Sequence, residues 1–146
     1  MSRKAPVITI RELRLPDEAA LLYPLIKQLN PDLLQAEYSR RLDTMIPQGY
    51  RCVGAWKAKK LIGAMGLWSA TRFWCGKYIE ADNFVVDQSQ RSQGIGALFS
   101  DWLEAEAKRL KCNVILADSF TKNHASHRFY LRERYDLMGF SFVKRL

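Results

Sequence analysis

The segment Val85-Val86-Asp87-Gln88-Ser89-Gln90-Arg91-Ser92-Gln93-Gly94-Ile95-Gly96 has the make-up of an anion-binding turn. An apolar strand runs into a polar loop, and two glycines open an amphipathic helical pattern. Without Cβ atoms at Gly94 and Gly96, the backbone can approach a ligand closely and offer it successive N–H groups. The first N–H groups of a helix have no internal partner and carry the positive end of its dipole, which favours a phosphate or pyrophosphate. The plain alternative is a strand-to-helix turn that uses glycine for tight packing. G-x-x-x-x-G-K-[ST] is absent, and Phe99 stands where the third glycine of G-x-G-x-x-G would be, so neither a Walker loop nor the dinucleotide fingerprint fits.

Two carboxylates precede this turn. Glu80 and Asp82 lie two residues apart on a strand-like segment and so share a face. Neighbouring carboxylates raise each other's pKa toward the range useful for proton transfer; the alternative is a solvated strand face. His124 and His127 are three apart on a helical segment, with no third ligand nearby, so they read as a surface pair and no metal is expected. Cys52, Cys75 and Cys112 are odd in number and far apart, forming neither a disulfide framework nor a C-x-x-C knuckle. Reduced thiols and the lack of an apolar stretch after the basic N-terminus lead us to expect a cytoplasmic protein without a secretory signal.

The elements that must position these residues follow from periodicity. Val7–Leu13 alternates as a strand. Pro16-Asp17-Glu18 starts a helix in which Pro24 should produce a kink or split. Asn30-Pro31 starts a second helix, stopped by Pro47 and Gly49. Tyr50–Trp56 and Leu61–Trp68 form a hairpin across Lys57-Ala58-Lys59-Lys60, and Tyr78–Val86 is a longer strand. Gly94–Leu110 is an amphipathic helix, with Ile95, Leu98, Phe99, Trp102, Leu103, Ala107 and Leu110 facing inward. Asn113–Ala117 is a short apolar strand suited to parallel pairing. Asn123–Glu133 is a helix, and Tyr135–Val143 is a closing strand. The order β-α-α-β-β-β-α-β-α-β predicts an α/β (α+β) fold, a single mixed and mostly antiparallel sheet flanked by helices. With 146 residues and 48% hydrophobic content, the chain reads as one domain, 1–146, and no apolar run reaches membrane-span length.

Arg91-x-x-Gly94-x-Gly96 after a Val-rich strand resembles the coenzyme A-binding motif R/Q-x-x-G-x-G/A of the GNAT superfamily of N-acetyltransferases. Asn123 to Tyr135, with Phe129-Tyr130, resembles that family's downstream signature. The His127-to-Glu133 run is most similar to the small aminoalkylphosphonate N-acetyltransferases. The resemblance implies that a primary amine attacks the thioester of acetyl-CoA directly. By it, Glu80 is the general base, directly or through water, with Asp82 beside it, and Tyr130 protonates the departing sulfur. The backbone N–H groups from Gln93 through Gly94, Ile95 and Gly96 to Ala97 would hold the pyrophosphate, with Arg91 and Ser92 of the same turn also on the cofactor. Phe84, Val85 and Val86 would pair with the pantetheine, with a backbone N–H near Val86 polarising the carbonyl. Asn123 would meet the pantetheine, and Arg132, with Lys122 and Arg128, the phosphates. Two departures stand out. Arg134 occupies the usual glycine position, and the chain ends after one closing strand, which leaves an edge for a homodimer.

The charge balance agrees with an anionic partner. The net charge is +8, and six basic residues with no acid lie between Arg51 and Ile79. There is no five-residue Lys/Arg block and no basic helix with a clean aromatic stripe, and charge alone leaves nucleic acid open. Set beside the motifs of the resembled family, with Arg91, Lys122, Arg128 and Arg132 near them, the charge is what the resemblance implies for a cofactor site. The expected acceptor is the primary amine of a small molecule, its pocket shaped by residues 16–49 and 68–77. Trp68 and Trp74 could line that pocket or fill the core. A protein or peptide acetylase and a non-catalytic nucleic-acid- or protein-binding module of the same fold are the rival readings.

Overall fold

A computed structural model describes residues 4–146. The start of the segment read for a secretory signal, residues 1–3, lies outside the described residues. The chain runs β1 (Ile8–Glu12), α1 (Ala19–Leu29), α2 (Gln35–Met45), β2 (Arg51–Lys57), β3 (Lys60–Arg72), β4 (Gly76–Val86), α3 (Ile95–Arg109), β5 (Val114–Ala117) and α4 (His124–Arg132). Short 3-10 turns at Ile46–Gln48 and Gln88–Gln90 follow α2 and β4. The five strands form one sheet in sequence order, antiparallel from β1 to β4, with β5 parallel to β4.

Side-chain alternation divides the core into two layers. On one face, Leu22, Leu25 and Ile26 of α1 and Tyr38 and Leu42 of α2 pack on Tyr50, Cys52, Trp56, Leu61, Ala64 and Val85. On the other, Ile95, Phe99, Leu103 and Ala107 of α3 pack on Val53, Ala55, Ile62, Met65, Leu67, Ile79 and Ala81. The i, i+4 spacing of the α3 residues is the stripe expected of a helix lying on a sheet. Leu98, expected on that stripe, is exposed.

Several boundaries differ from expectation. Pro24 neither splits nor ends α1, which is continuous through it. The second helix begins at Gln35 rather than at Asn30-Pro31, because Leu34 still has extended backbone with ψ 150°. β3 runs on to Arg72 and forms a long hairpin with β4, so most of residues 68–77 is sheet rather than loop.

The closing strand is the main correction. Residues 135–146 form no strand, so the observed order ends on α4. A strand requires a neighbour to satisfy its backbone, and alternation in the sequence does not specify which chain supplies one. Arg134, where the family usually has glycine, adopts a left-handed φ of 66°, and beyond it every residue from Asp136 to Leu146 is exposed. β5 thus pairs on one side only among the described residues, and its four residues are half-buried rather than deep in the sheet.

Candidate active site

The site begins where two strands part. β4 pairs with β5 only through Tyr78–Ala81 against Val114–Ala117. From Asp82 to Val86, β4 keeps β3 on one side and has no strand on the other among the described residues. Here β4 also carries a bulge: Gly66 faces Asp82 and Ala64 faces Val85, so Asn83 and Phe84 together oppose Met65. Asn83 has φ 51°. The bulge reverses the alternation, leaving Val85 in the α1–α2 layer while Phe84 and Val86 pack against the α3 layer. Bulges commonly re-aim a strand beside a site. The result is an open edge of backbone donors and acceptors, suited to an extended amide chain.

Past Val86 the chain makes the turn singled out in the sequence. Asp87 Oδ1 accepts from Ser89 N at 2.9 Å and from Ser89 Oγ at 2.6 Å, closing the first bend. Ser92 and Gly94 are left-handed, at φ 64° and 74°. Gly94 is the cap residue of α3 and has no side chain to satisfy the helix N-terminus, so the N–H groups of Ile95, Gly96 and Ala97 form an uncapped start. A Cβ at Gly94 would meet nothing within 4 Å, so its glycine serves the backbone conformation. Gly96 has a different reason. A Cβ there would lie 2.7 Å from Phe129 Cε2, so this glycine lets α4 pack against α3. The tip from Arg91 to Gly94 is exposed.

At the other end of the open edge lies an acidic group. Glu80 pairs across the sheet with Trp68 and, on the β5 side, with Leu116. Its side chain is 19% exposed, and Arg72 Nη2 lies 3.9 Å from its Oε2. The Arg72 guanidinium also sits 4.6 Å from the centroid of the Tyr78 ring. Burial raises the Glu80 pKa above the ordinary carboxylate range; a hydrogen bond and charge repulsion from Asp118 add to this, and Arg72 partly opposes it. Asp82 contributes least. Instead, Trp68 Nε1 donates to Asp82 Oδ2 at 3.1 Å, and the Trp68 ring lies 5.3 Å from that of Tyr50. Asp118 was absent from the sequence-derived candidates. The available signal was parallel pairing: Leu116 faces Glu80, and two residues on, Asp118 shares that face.

Tyr130 enters from α4. Its ring sits between Phe129 and Tyr135, at centroid distances of 5.4 and 5.1 Å. Burial, followed by the neighbouring Tyr135 and the charges of Asp118 and Asp82, pushes its phenol up to about 12. The phenol is therefore protonated at neutral pH, and it responds to the same carboxylates that surround Glu80. Glu80 and Tyr130 are thus both influenced by the charges of Asp82 and Asp118 near the parting of β4 and β5.

The other expected residues have mixed placements. The Phe84 ring is packed 5.4 Å from Phe99 and 5.5 Å from Phe129, leaving only its backbone for a ligand. Asn123 Oδ1 accepts from Ser126 N at 3.1 Å and so caps α4. Arg132 is exposed and lies 5.7 Å from the Phe129 ring centroid. His127 Nε2 is 2.9 Å from the Phe120 carbonyl, and among the described residues no group of His, Cys, Asp or Glu could hold a metal. Trp68 packs on the α1–α2 core, whereas Trp74 is 57% exposed at the β3–β4 tip.

The uncapped turn carries the Arg91-x-x-Gly94-x-Gly96 motif and α4 carries the Asn123–Tyr135 signature, the two stretches on which the sequence resemblance rested, and residues 14–134 match the acetyltransferase (GNAT) family. The chain belongs to the GNAT family. Over 73 residues it is 36% identical to the aminoalkylphosphonate N-acetyltransferase of Salmonella typhimurium, a match spanning 50% of this chain and 46% of that enzyme. An aminoglycoside N-acetyltransferase solved with CoA has the same GNAT fold, with a TM-score of 0.86, 13% identity, and coverage of 100% of this chain and 99% of that one. The ribosomal-protein-alanine N-acetyltransferase of Brucella melitensis follows with a TM-score of 0.82, 17% identity, and coverage of 96% and 99%. One of these two GNAT proteins is named for a small molecule and the other for a protein, so the shared fold leaves the acceptor open.

Proposed function

We propose that this protein transfers the acetyl group of acetyl-CoA to the primary amine of a small molecule that also carries an anionic group. The observation that carries the reading is the open β4 edge that runs from Glu80 to the uncapped start of α3. The β4 backbone from Phe84 to Val86 would pair with the pantetheine amides, and the N–H groups after Gly94 would hold the pyrophosphate. Bound there, acetyl-CoA supplies a thioester carbonyl open to attack.

The chain's own residues then handle protons. Glu80, its pKa raised by burial and Asp118, accepts a proton from the substrate ammonium, directly or through water. The free amine forms the new C–N bond as the C–S bond breaks. Tyr130, protonated at neutral pH, gives its proton to the departing sulfur, and the second proton that the nitrogen sheds on becoming an amide returns through water to restore the phenol. A backbone N–H near Val86, at the bulged end of β4, would stabilise the charge that grows on the carbonyl oxygen. Asp82, held by Trp68, adds negative charge that favours the approaching ammonium.

Arg72 supports the anionic acceptor. A guanidinium 3.9 Å from the base opposes a simple cationic amine but would pair with a phosphonate or carboxylate on the same substrate. The similarity to an aminoalkylphosphonate N-acetyltransferase points the same way. The free cysteines fit a reducing, cytoplasmic setting. Calorimetric titration with acetyl-CoA, followed by mass spectrometry of products from aminoalkylphosphonates and neutral amines, tests the proposal. Absence of acetyl-CoA binding at millimolar ligand would overturn it.

A further inference from the structure

The β3–β4 hairpin runs past both of its neighbouring strands. β2 pairs with β3 only as far as Arg51 opposite Leu67, and β5 meets β4 only from Tyr78 opposite Val114 onward. β3 and β4 stay paired out to Arg72 opposite Gly76. The residues from Trp68 to Arg72 therefore carry the ribbon ~15 Å beyond β2. At its tip Phe73 is 113% exposed and Trp74 57%. The tip is fastened from below. Asn113 Nδ2 donates to the Cys75 carbonyl at 3.0 Å, and Gly76, at φ 73°, leaves room for this amide, which a Cβ there would strike. Two aromatic rings are thus displayed on a fixed ribbon, and the charge around them has one sign. No acid occurs from Trp68 to Ile79 or from Ala107 to Ala117. The end of α3 and the start of β5 lie at this end of the sheet, where Asn113 N donates to the Lys77 carbonyl at 2.8 Å. Lys77, Lys108 and Lys111 are exposed there. Glu106 is already held by Arg51 and Arg109, and Glu12 by Arg51.

We propose that the β3–β4 tip docks this protein on an anionic lipid surface. Phe73 and Trp74 enter the boundary between headgroups and acyl chains, and Lys77, Lys108 and Lys111 face the lipid phosphates. Aromatic side chains settle at that boundary, and each lysine near it adds attraction to a negatively charged leaflet. The shape favours this partner over single-stranded nucleic acid, which tracks a basic groove and stacks successive bases on aromatic platforms. Here the rings stand on a projecting point and the lysines are set back behind them, an arrangement that inserts rather than cradles. No helix among the described residues is long and apolar enough to cross a membrane, and docking of this kind needs none. The glycine turn before α3 follows the opposite end of β4, so it stays clear of the docked surface.

Vesicle sedimentation of the full chain reads docking independently of any acetyl transfer. Binding to phosphatidylcholine vesicles with roughly one-third phosphatidylglycerol should exceed binding to pure phosphatidylcholine by at least about tenfold, and it should weaken with salt. Phe73→Ser combined with Trp74→Ser should lower it by at least about tenfold, as should Lys77→Gln, Lys108→Gln and Lys111→Gln together. All five side chains are exposed, and thermal unfolding checks that both variants keep their fold. Brominated lipids read insertion directly: they should quench the tryptophan fluorescence of the parent chain, and Trp74→Phe should abolish that quenching. Absent vesicle binding, equal binding to neutral vesicles, binding unchanged by the Phe73 and Trp74 substitutions, or quenching that survives Trp74→Phe would each overturn the proposal. So would binding to single-stranded polyuridylate, lost with the same two substitutions, in the absence of vesicle binding.

Discussion

Asp118 lies beside Glu80, just beyond the end of the neighbouring parallel strand, and after burial it is the largest influence raising the Glu80 pKa. Asp118 helps to hold this half-buried carboxyl above its ordinary range, and its charge also acts on Tyr130.

Asp118→Asn removes the repulsion and leaves a side chain that can donate to ionised Glu80. The Glu80 pKa should fall, since Asp118 raises it by both hydrogen bonding and charge. The acidic limb of the pH profile of kcat/KM is expected to move to lower pH. A limb that stays in place or moves up would remove Asp118 from the account.

Tyr130→Phe deletes the phenolic proton but keeps the ring between Phe129 and Tyr135. We expect kcat to fall by roughly 10²–10⁴-fold, while acetyl-CoA affinity measured by calorimetry stays within about tenfold. Equal losses in both would make Tyr130 a packing residue.

Arg72→Gln tests the acceptor class. KM for an acceptor bearing a phosphonate is expected to rise by about 10–100-fold, the scale of a hydrogen bond to a charged group, with neutral amines little affected. Equal effects on both would assign Arg72 to Glu80 alone.

Gly96→Ala places a Cβ 2.7 Å from Phe129. Overpacking of this kind costs about 1–3 kcal/mol, and chemical denaturation should show it. Phe129→Leu in the same chain is expected to recover part of the loss, a coupling that separates helix packing from phosphate binding at this glycine.

Glu106 of α3 supplies a stability test remote from the site. Hydrogen bonding to Arg109, then to Arg51, holds its carboxyl at about 2, against an ordinary 4.5. A depressed carboxyl stabilises the fold above its unfolded pKa, and that contribution is lost as pH falls toward the folded value. Glu106→Gln should therefore cost stability at pH 7 and progressively less between pH 4.5 and 2. A cost independent of pH would assign the residue to packing.

Much of the site was legible because it depends on local chemistry. The glycines at 94 and 96, Glu80 at the middle of an apolar strand, and the Phe129-Tyr130 pair are all visible in the residues themselves. What escaped depends on pairing between segments. Asp118 becomes a partner of Glu80 only through the register of β5 on β4, and Gly96 acquires its packing role only when α4 lies on α3. The β4 bulge is encoded in the mismatch with β3. The closing strand failed for a related reason: periodicity reports that Leu137 to Val143 suit a sheet, but not that this chain offers them none.

The central claim is acetyl transfer to an amine at the parting of β4 and β5, and thiol release tests it most directly. With acetyl-CoA and a panel of aminoalkylphosphonates, polyamines and aminoglycosides, the protein should release thiol in step with N-acetylated product. Glu80→Gln and Tyr130→Phe should each reduce that rate by at least about 100-fold. Release no faster than in buffer for every amine, or turnover unchanged in both variants, would contradict the account.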